Sequence, residues 1–369
     1  MADRPRYDLI VIGGGPGGTA AAITSARMGA RTLLVERGRF PRHKVCGEFV
    51  SPEALGLLFE LLSGHERGIL EEAVRIPRAR IFLDDRMLEA PIDRSARSIA
   101  RLDLDRALWQ SAAESGVETR QQASAHFILG TGPFVVRTSV GDLEGRAVVD
   151  ASGRWSSLKL AKSNPGAGRS KWIGVKAHFS ESSPSESVDL YFFDGGYCGV
   201  QPVALEAEHD RDRINVCAMV RADVASRLED VFDLDPALAR RARRWQPRME
   251  PMSVAPLVFA TPEAARAGVL RVGDAAGFVD PFVGDGISLA LRSGTLAAHC
   301  LGPFFQDEIR LGEAIDEYRR QYRRELAPVF RSSAKLRRML QIPRLARRPF
   351  FFLLKSSPAL ARYLVRSTR

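Results

Sequence analysis

The chain has 369 residues, of which 45% are hydrophobic and 27% charged, and its formal charge is +10. This composition excludes a disordered or fibrous chain and leaves room for one large two-part domain or two small ones. Cys46, Cys198, Cys217 and Cys300 show no paired spacing and the six histidines are scattered, so neither a disulfide framework nor a metal site is expected.

The charge is uneven. Residues 331–369 hold eleven Lys and Arg and no Asp or Glu, whereas the rest holds 43 basic and 44 acidic residues. The body therefore has no cationic surplus, and no nucleic-acid partner is expected. The polar start, Met1 to Tyr7, lacks a signal-peptide core, and no apolar run reaches a membrane span; Phe350 to Leu354 is the longest late one. A reduced, cytoplasmic protein is expected.

In chain order, Tyr7 to Ile12 reads as a buried strand, Pro16 to Met28 as an Ala-rich helix, and Arg31 to Glu36 as a second strand. Together they form a βαβ unit. Ser51 to Leu62 and Leu102 to Ser115 read as helices. Residues 117–150 alternate with Gly punctuation, as hairpin strands do. Residues 172–220 are strand-rich, most clearly at Tyr191 to Phe193 and Ile214 to Val220. Ala237 to Arg244 is a short basic helix, Val269 to Val272 a strand, and Ile287 to Cys300 a helix. α/β signals at both ends with β signals between them predict a nucleotide-binding core with a sheet-based second domain inserted into it.

Two glycine-rich segments carry the chemistry. Gly13, Gly15 and Gly18 fill the G-x-G-x-x-G positions between the first strand and its helix, which starts at Pro16. The pattern permits a tight turn, a close approach of diphosphate to backbone, and an anion at the helix N-terminus. Glu36, with Arg37 beside it, closes the next strand, where a carboxylate accepts ribose hydroxyls and repels a 2′-phosphate. The second segment, Gly273 to Gly277 and then Asp280 to Ile287, offers Asp274 to a polyol hydroxyl. Gly284 and Gly286 let backbone N–H groups approach a ring carbonyl. A nicotinamide enzyme has no need of this second site; a dinucleotide with a ribityl chain and a flavin ring does.

With these motifs the chain resembles the FAD-dependent oxidoreductases of the geranylgeranyl reductase family, relatives of the aromatic hydroxylases with the p-hydroxybenzoate hydroxylase fold. The likeness covers most of residues 7–310. It implies an α/β fold: a Rossmann-like FAD-binding domain (1–75, 95–174 and 262–310), an inserted mixed β-sheet substrate domain (76–94 and 175–261), and a helical C-terminal tail (311–369). It also implies that Arg101 approaches the cofactor, or else is a solvated arginine, and that the strand backbone at Ala125 meets adenine. Arg42 to Glu48 resembles the family's Lys-x-Cys-Gly segment, which places Cys46 and Gly47 beside the flavin. Cys46 is then a proton donor or nucleophile, or a small packing residue. Gly195 to Pro202 resembles the family's Tyr-x-Trp-x-Phe-Pro substrate motif, with Tyr197 and Pro202 kept and Gly199 and Gln201 in place of the aromatics. Tyr197 is a catalytic candidate, and the two replacements imply a wider pocket.

Val149 to Arg154 stands at the hydroxylases' Asp-Gly motif without its Ala-Asp-Gly core, which leaves the electron donor, NAD(P)H or another reductant, open. A second G-x-G-x-x-G unit and a C-x₄-C pair are both absent, excluding the disulfide-reductase plan. The expected function is C=C reduction of a prenyl or other lipid. The alternatives are hydroxylation of an aromatic lipid or quinone precursor, and a non-catalytic flavin-binding or electron-carrier module. The basic tail, with apolar residues interleaved, suits peripheral contact with the inner face of an anionic membrane, or else covers the FAD domain.

Overall fold

The computed structural model of the chain describes residues 6–84, 86–154, 158, 172–205 and 211–340. Two sheets dominate. The first has a parallel core in the order Glu118–Arg120, Thr32–Val35, Tyr7–Ile12, Gly141–Asp150, Val269–Arg271. This is the doubly wound order of nucleotide-binding sheets. Leu9, Ile10, Val11, Leu33, Leu34, Val148 and Val149 are fully or almost fully buried. Strands covered on both faces read as continuous apolar runs, which is why the first two were legible in the sequence. The hairpin Ala125–Leu129 and Phe134–Thr138 extends this sheet from Gly141–Asp150.

Two helices cover one face. Pro16–Arg27 starts directly after Gly15, and Gly286–Phe305 packs against it through small residues. A β-carbon at Gly294 would overlap the carbonyl oxygen of Gly17, and one at Gly17 would sit 3.1 Å from the carbonyl oxygen of Ala290. This close approach brings the two glycine-rich segments, some 260 positions apart in the chain, to one end of the first sheet.

The second sheet has nine strands: Gln246–Pro247, Trp172–Ser180, Arg213–Arg221, Gly196–Pro202, Ser187–Phe193, Val74–Leu83, Arg86–Ser98 and Phe49–Val50 in order, with Met252–Val254 beside Trp172–Ser180. Ser187–Phe193 and Val74–Leu83 pair in parallel; the other pairs are antiparallel. One face is apolar. Val175, Ala177, Ile214, Val216, Ala218 and Val200 lie under the helices Leu228–Phe232 and Pro236–Ala242. Arg241 ties these helices down: its guanidinium makes two 2.6 Å bonds to Glu181 and one of 2.5 Å to buried Asp189, which Arg80 also holds.

The opposite face follows from the register, since residues directly opposite in an antiparallel pair share a face. Its rows run Phe192–Tyr197–Met219–Gly174, Leu190–Gly199–Cys217–Lys176, and Gln201–Asn215–His178. The face is graded from aromatic to polar. Beyond the sheets, the helices Leu311–Glu325 and Ala327–Leu340 follow. No helix among the described residues is long and apolar enough to cross a membrane.

Candidate functional site

The chain leaves the strand Tyr7–Ile12 through Gly13, whose φ of +110° and contact with the Ala151 carbonyl admit no side chain. Gly18 packs on the Gly13 carbonyl, and Pro16 occupies the first helical turn, where its missing N–H costs nothing. Gly15 faces two cationic side chains. A β-carbon there would have Lys44 Nζ at 3.9 Å and Arg101 Nη2 at 4.0 Å as its nearest neighbours. Two cations facing unpaired N–H groups at a helix N-terminus form a cradle for a diphosphate.

Glu36 is buried and fixes this loop. Its Oε2 accepts from the Gly14 N–H at 2.9 Å, and its Oε1 from the Gly38 N–H at 2.8 Å and Arg42 Nη2 at 2.9 Å. A carboxylate has about four lone-pair positions, so one remains for a ribose hydroxyl. Arg37 is exposed. Ala125 is buried in the core shared by Ile12 and Val35, on the other side of the strand ends.

Arg101 is a buried residue, not a solvated one. Its Nε and Nη2 each lie 2.7 Å from the Asp105 carboxylate, and its backbone N–H donates to Glu48 Oε1 at 2.8 Å. Burial opposes its charge, but Asp105 and the adjacent Cys46 sulfur hold the guanidinium pKa above its ordinary value. Burial, then Arg101, push the Lys44 ammonium down to about 8.

Cys46, Gly47 and Glu48 cross the polar end of the second sheet. Asn215 Nδ2 donates to the Cys46 carbonyl at 3.2 Å and to the Gly47 carbonyl at 2.8 Å, and the Glu48 N–H points at Cys46 Sγ at 3.3 Å. Glu48 is fully buried at φ +60°, a strained conformation for a residue with a side chain. Its contacts over-determine it: Lys176 Nζ and the Arg101 N–H meet Oε1, and His178 Nε2 lies 2.8 Å from Oε2. Burial raises the Glu48 pKa, but Lys176 and His178 outweigh it and bring it down to about 2. The ligand-type atoms of His43, Glu48 and His178 lie within 4.8 Å of one another, so histidines scattered in the sequence converge here. The Lys176 ammonium supplies this carboxylate's counter-charge. Burial, then Lys176 and His178, lower the pKa of His43.

Lys176, His178, Asn215 and Cys217 escaped the sequence reading. A usable signal was present: two strand segments in which polar residues recur at every second position among apolar ones, Lys176 and His178 in one, Asn215 and Cys217 in the other.

The late segment closes the site. Asp274 lies in a turn after Val269–Arg271 and is paired with Arg154 Nε at 3.2 Å. Gly284 has φ +78°, and a β-carbon on it would press on the Phe49 ring at 2.8 Å. Gly286 opens the long helix with nothing within 4 Å of where its side chain would be, and Ile287 is buried. Tyr197 meets this segment through Phe282, their ring centroids 5.7 Å apart, and Phe192 completes the trio at 5.7 Å from Tyr197. Burial raises the Tyr197 hydroxyl pKa well above its ordinary value, so it stays protonated.

The first βαβ unit, residues 8–42, matches a family model described as FAD dependent oxidoreductase. The chain is an FAD-dependent oxidoreductase. The residues present fit that cofactor: cations at Gly15, a spare acceptor position on Glu36, and open space before Gly286. The chain is similar to a menaquinone reductase of Mycobacterium tuberculosis, 26% identical over 80% of this chain and 76% of that one. A digeranylgeranylglycerophospholipid reductase of Methanocella arvoryzae is 24% identical over 91% and 88%. Among solved structures, the flavin-dependent brominase Bmp2 superposes with a TM-score of 0.77 at 19% identity, over 98% of this chain and 93% of that one. At that identity the likeness is one of fold.

Proposed function

We propose that this oxidoreductase saturates a carbon–carbon double bond in a hydrophobic substrate of prenyl or other lipid type. The reading divides the chain into the FAD-binding and substrate domains expected from the sequence. The observation that carries it is the graded face of the second sheet. Its aromatic row, Phe192 and Tyr197, meets Phe282 of the late glycine-rich segment, and its polar rows hold Cys46 and Gly47. An apolar chain lies along the first, and its reacting carbons lie over the second. The relatives named as reductases of a quinone and of a prenyl phospholipid support the substrate class.

Bound FAD, reduced by NAD(P)H or another donor, supplies a hydride. The chain's residues do the rest. Lys44 and Arg101 hold the diphosphate, Glu36 the ribose and Asp274 the polyol chain. The aromatic row excludes water. One alkene carbon receives the hydride and the other a proton from the Cys46 thiol, which solvent protons restore. Cys46→Ser is expected to keep FAD and to slow turnover by about 10²-fold or more, the span of a lost general acid; unchanged turnover makes the thiol a packing group. Lipid extracts of a deletion strain, compared with wild type by mass spectrometry, test the reaction. The account expects an accumulated species lighter by two hydrogens per saturated bond.

A second reading, hydroxylation of an aromatic lipid or quinone precursor, is favoured by the substrate face itself. Gly199 leaves space beside Leu190, and buried Gln201 donates to Ser98 Oγ at 2.6 Å, so the middle of the wall is neither aromatic nor wholly apolar. A precursor lighter by one oxygen, with oxygen consumed in turnover, identifies that reaction.

A further inference from the structure

On the far side of Phe278 lies a cleft of about 640 Å³, between the segment 259–265 and the helices Leu311–Glu325 and Ala327–Leu340. Its walls are apolar: Phe259 and Phe278 stack with centroids 5.2 Å apart, and Phe330, Ala327 and Ala334 face them. Its lining includes four arginines, half-buried Arg319 and Arg337 and exposed Arg323 and Arg331. Its carboxylates are already engaged, Glu263 by Arg266 and Arg271, and Asp280 by Arg337 at 2.6 Å. Arg337 also lies 3.9 Å over the Phe259 ring. Arg319 is held by Asp316 and the Ala265 carbonyl. Arg323 and Arg331 are exposed and have no partner among the described residues.

We propose that this cleft binds a phospholipid molecule carrying an anionic phosphate, its acyl or prenyl chain between the phenylalanines and its phosphate between Arg323 and Arg331. Charge complementarity selects that occupant. Two unengaged guanidiniums at the mouth of an apolar cleft match a phosphate on an apolar chain, and paired N–H donors match its oxygens. The chain's own C-terminal segment is the wrong sign: residues 341–369 hold seven further Lys and Arg and no acid. The site does not depend on which reaction the enzyme performs. It does abut the late glycine-rich segment. Asp280, held by Arg337 and by a 3.2 Å bond from its N–H to Ser333 Oγ, precedes the turn Pro281–Val283. An occupied cleft therefore bears on the helix and on the cofactor side together.

The test is calorimetric titration of the holoenzyme with dihexanoyl phosphatidic acid, a soluble phospholipid, beside dihexanoyl phosphatidylcholine and inorganic phosphate. Wild type is expected to bind the phosphatidic acid in preference to both controls. Arg323→Glu and Arg331→Glu should each weaken it about tenfold or more, as the loss of a charge-assisted bond does. Ala334→Trp, which fills the cleft and leaves its charge alone, should abolish binding. Arg362→Glu with Arg366→Glu should leave it unchanged. The proposal is overturned if wild type ignores phosphatidic acid, if inorganic phosphate binds as well as the lipid, or if the two arginine variants bind as wild type does. It is equally overturned if the tail pair, rather than the cleft variants, removes binding. All variants must first show a wild-type melting temperature and flavin spectrum; should Glu disturb the fold, Arg323→Gln and Arg331→Gln carry the same test.

Discussion

Two charges at the site, half-buried Lys44 and buried Glu48, give opposite pH signatures. Lys44 has its ammonium pushed down to about 8 by burial and by Arg101. The charged form attracts a diphosphate and the neutral form does not. Affinity of the apoprotein for FAD should therefore be full below about pH 8 and fall above it, a trend Lys44→Met should flatten. Titration of apoprotein followed by flavin fluorescence checks both. Glu48 behaves inversely. Its folded pKa of about 2 lies below the ordinary 4.5, so its contribution is complete above pH 4.5 and is lost as pH falls towards 2. Glu48→Gln leaves Lys176 buried without its counter-charge and should cost about 3–5 kcal/mol at pH 7. Urea melts at several pH values should show the gap between wild type and variant narrowing below pH 4.5.

At the scale of elements, the contact between Pro16–Arg27 and Gly286–Phe305 joins the two halves of the proposed cofactor site. It depends on the absence of a side chain at Gly294, which rests on the Gly17 carbonyl. Gly294→Ala should force the helices apart and cost about 1–3 kcal/mol, the range of overpacked cores, even though alanine favours helices. Differential scanning calorimetry checks the stability, and flavin content after purification checks the site. A stable variant that keeps its full flavin content would show that the two segments reach one another by another route. The second sheet's polar face makes a comparable link. Lys176, His178 and Asn215 come from two adjacent strands in register and grip a loop more than 120 residues earlier in the chain.

Across the whole molecule, legibility followed the range of the signal. The first βαβ unit was readable because its strands are apolar throughout, its turn is marked by glycine and its helix is contiguous. Arg101 was ambiguous because its bidentate partner Asp105 and its neighbour Cys46 decide its burial, and only the fold supplies the second. Glu48 looked incidental after Cys46 and Gly47, because its partners Lys176 and His178 lie on a strand some 130 residues later in the chain. The basic tail divides: residues 331–340 form part of a helix that Arg337 and Ser333 fasten to Asp280, while the rest of the call for a membrane-facing segment lies outside the described residues.

The central claim is that two distant glycine-rich segments build one long cofactor site. Denaturing the purified protein and identifying the released flavin by chromatography and mass tests it most directly. The account predicts FAD, about one per chain, with Asp274→Ala and Lys44→Met reducing the amount retained, since a hydrogen bond to a charged group is worth about 1.5–3 kcal/mol. Release of FMN, or no flavin even after incubation of the folded protein with FAD, would contradict it.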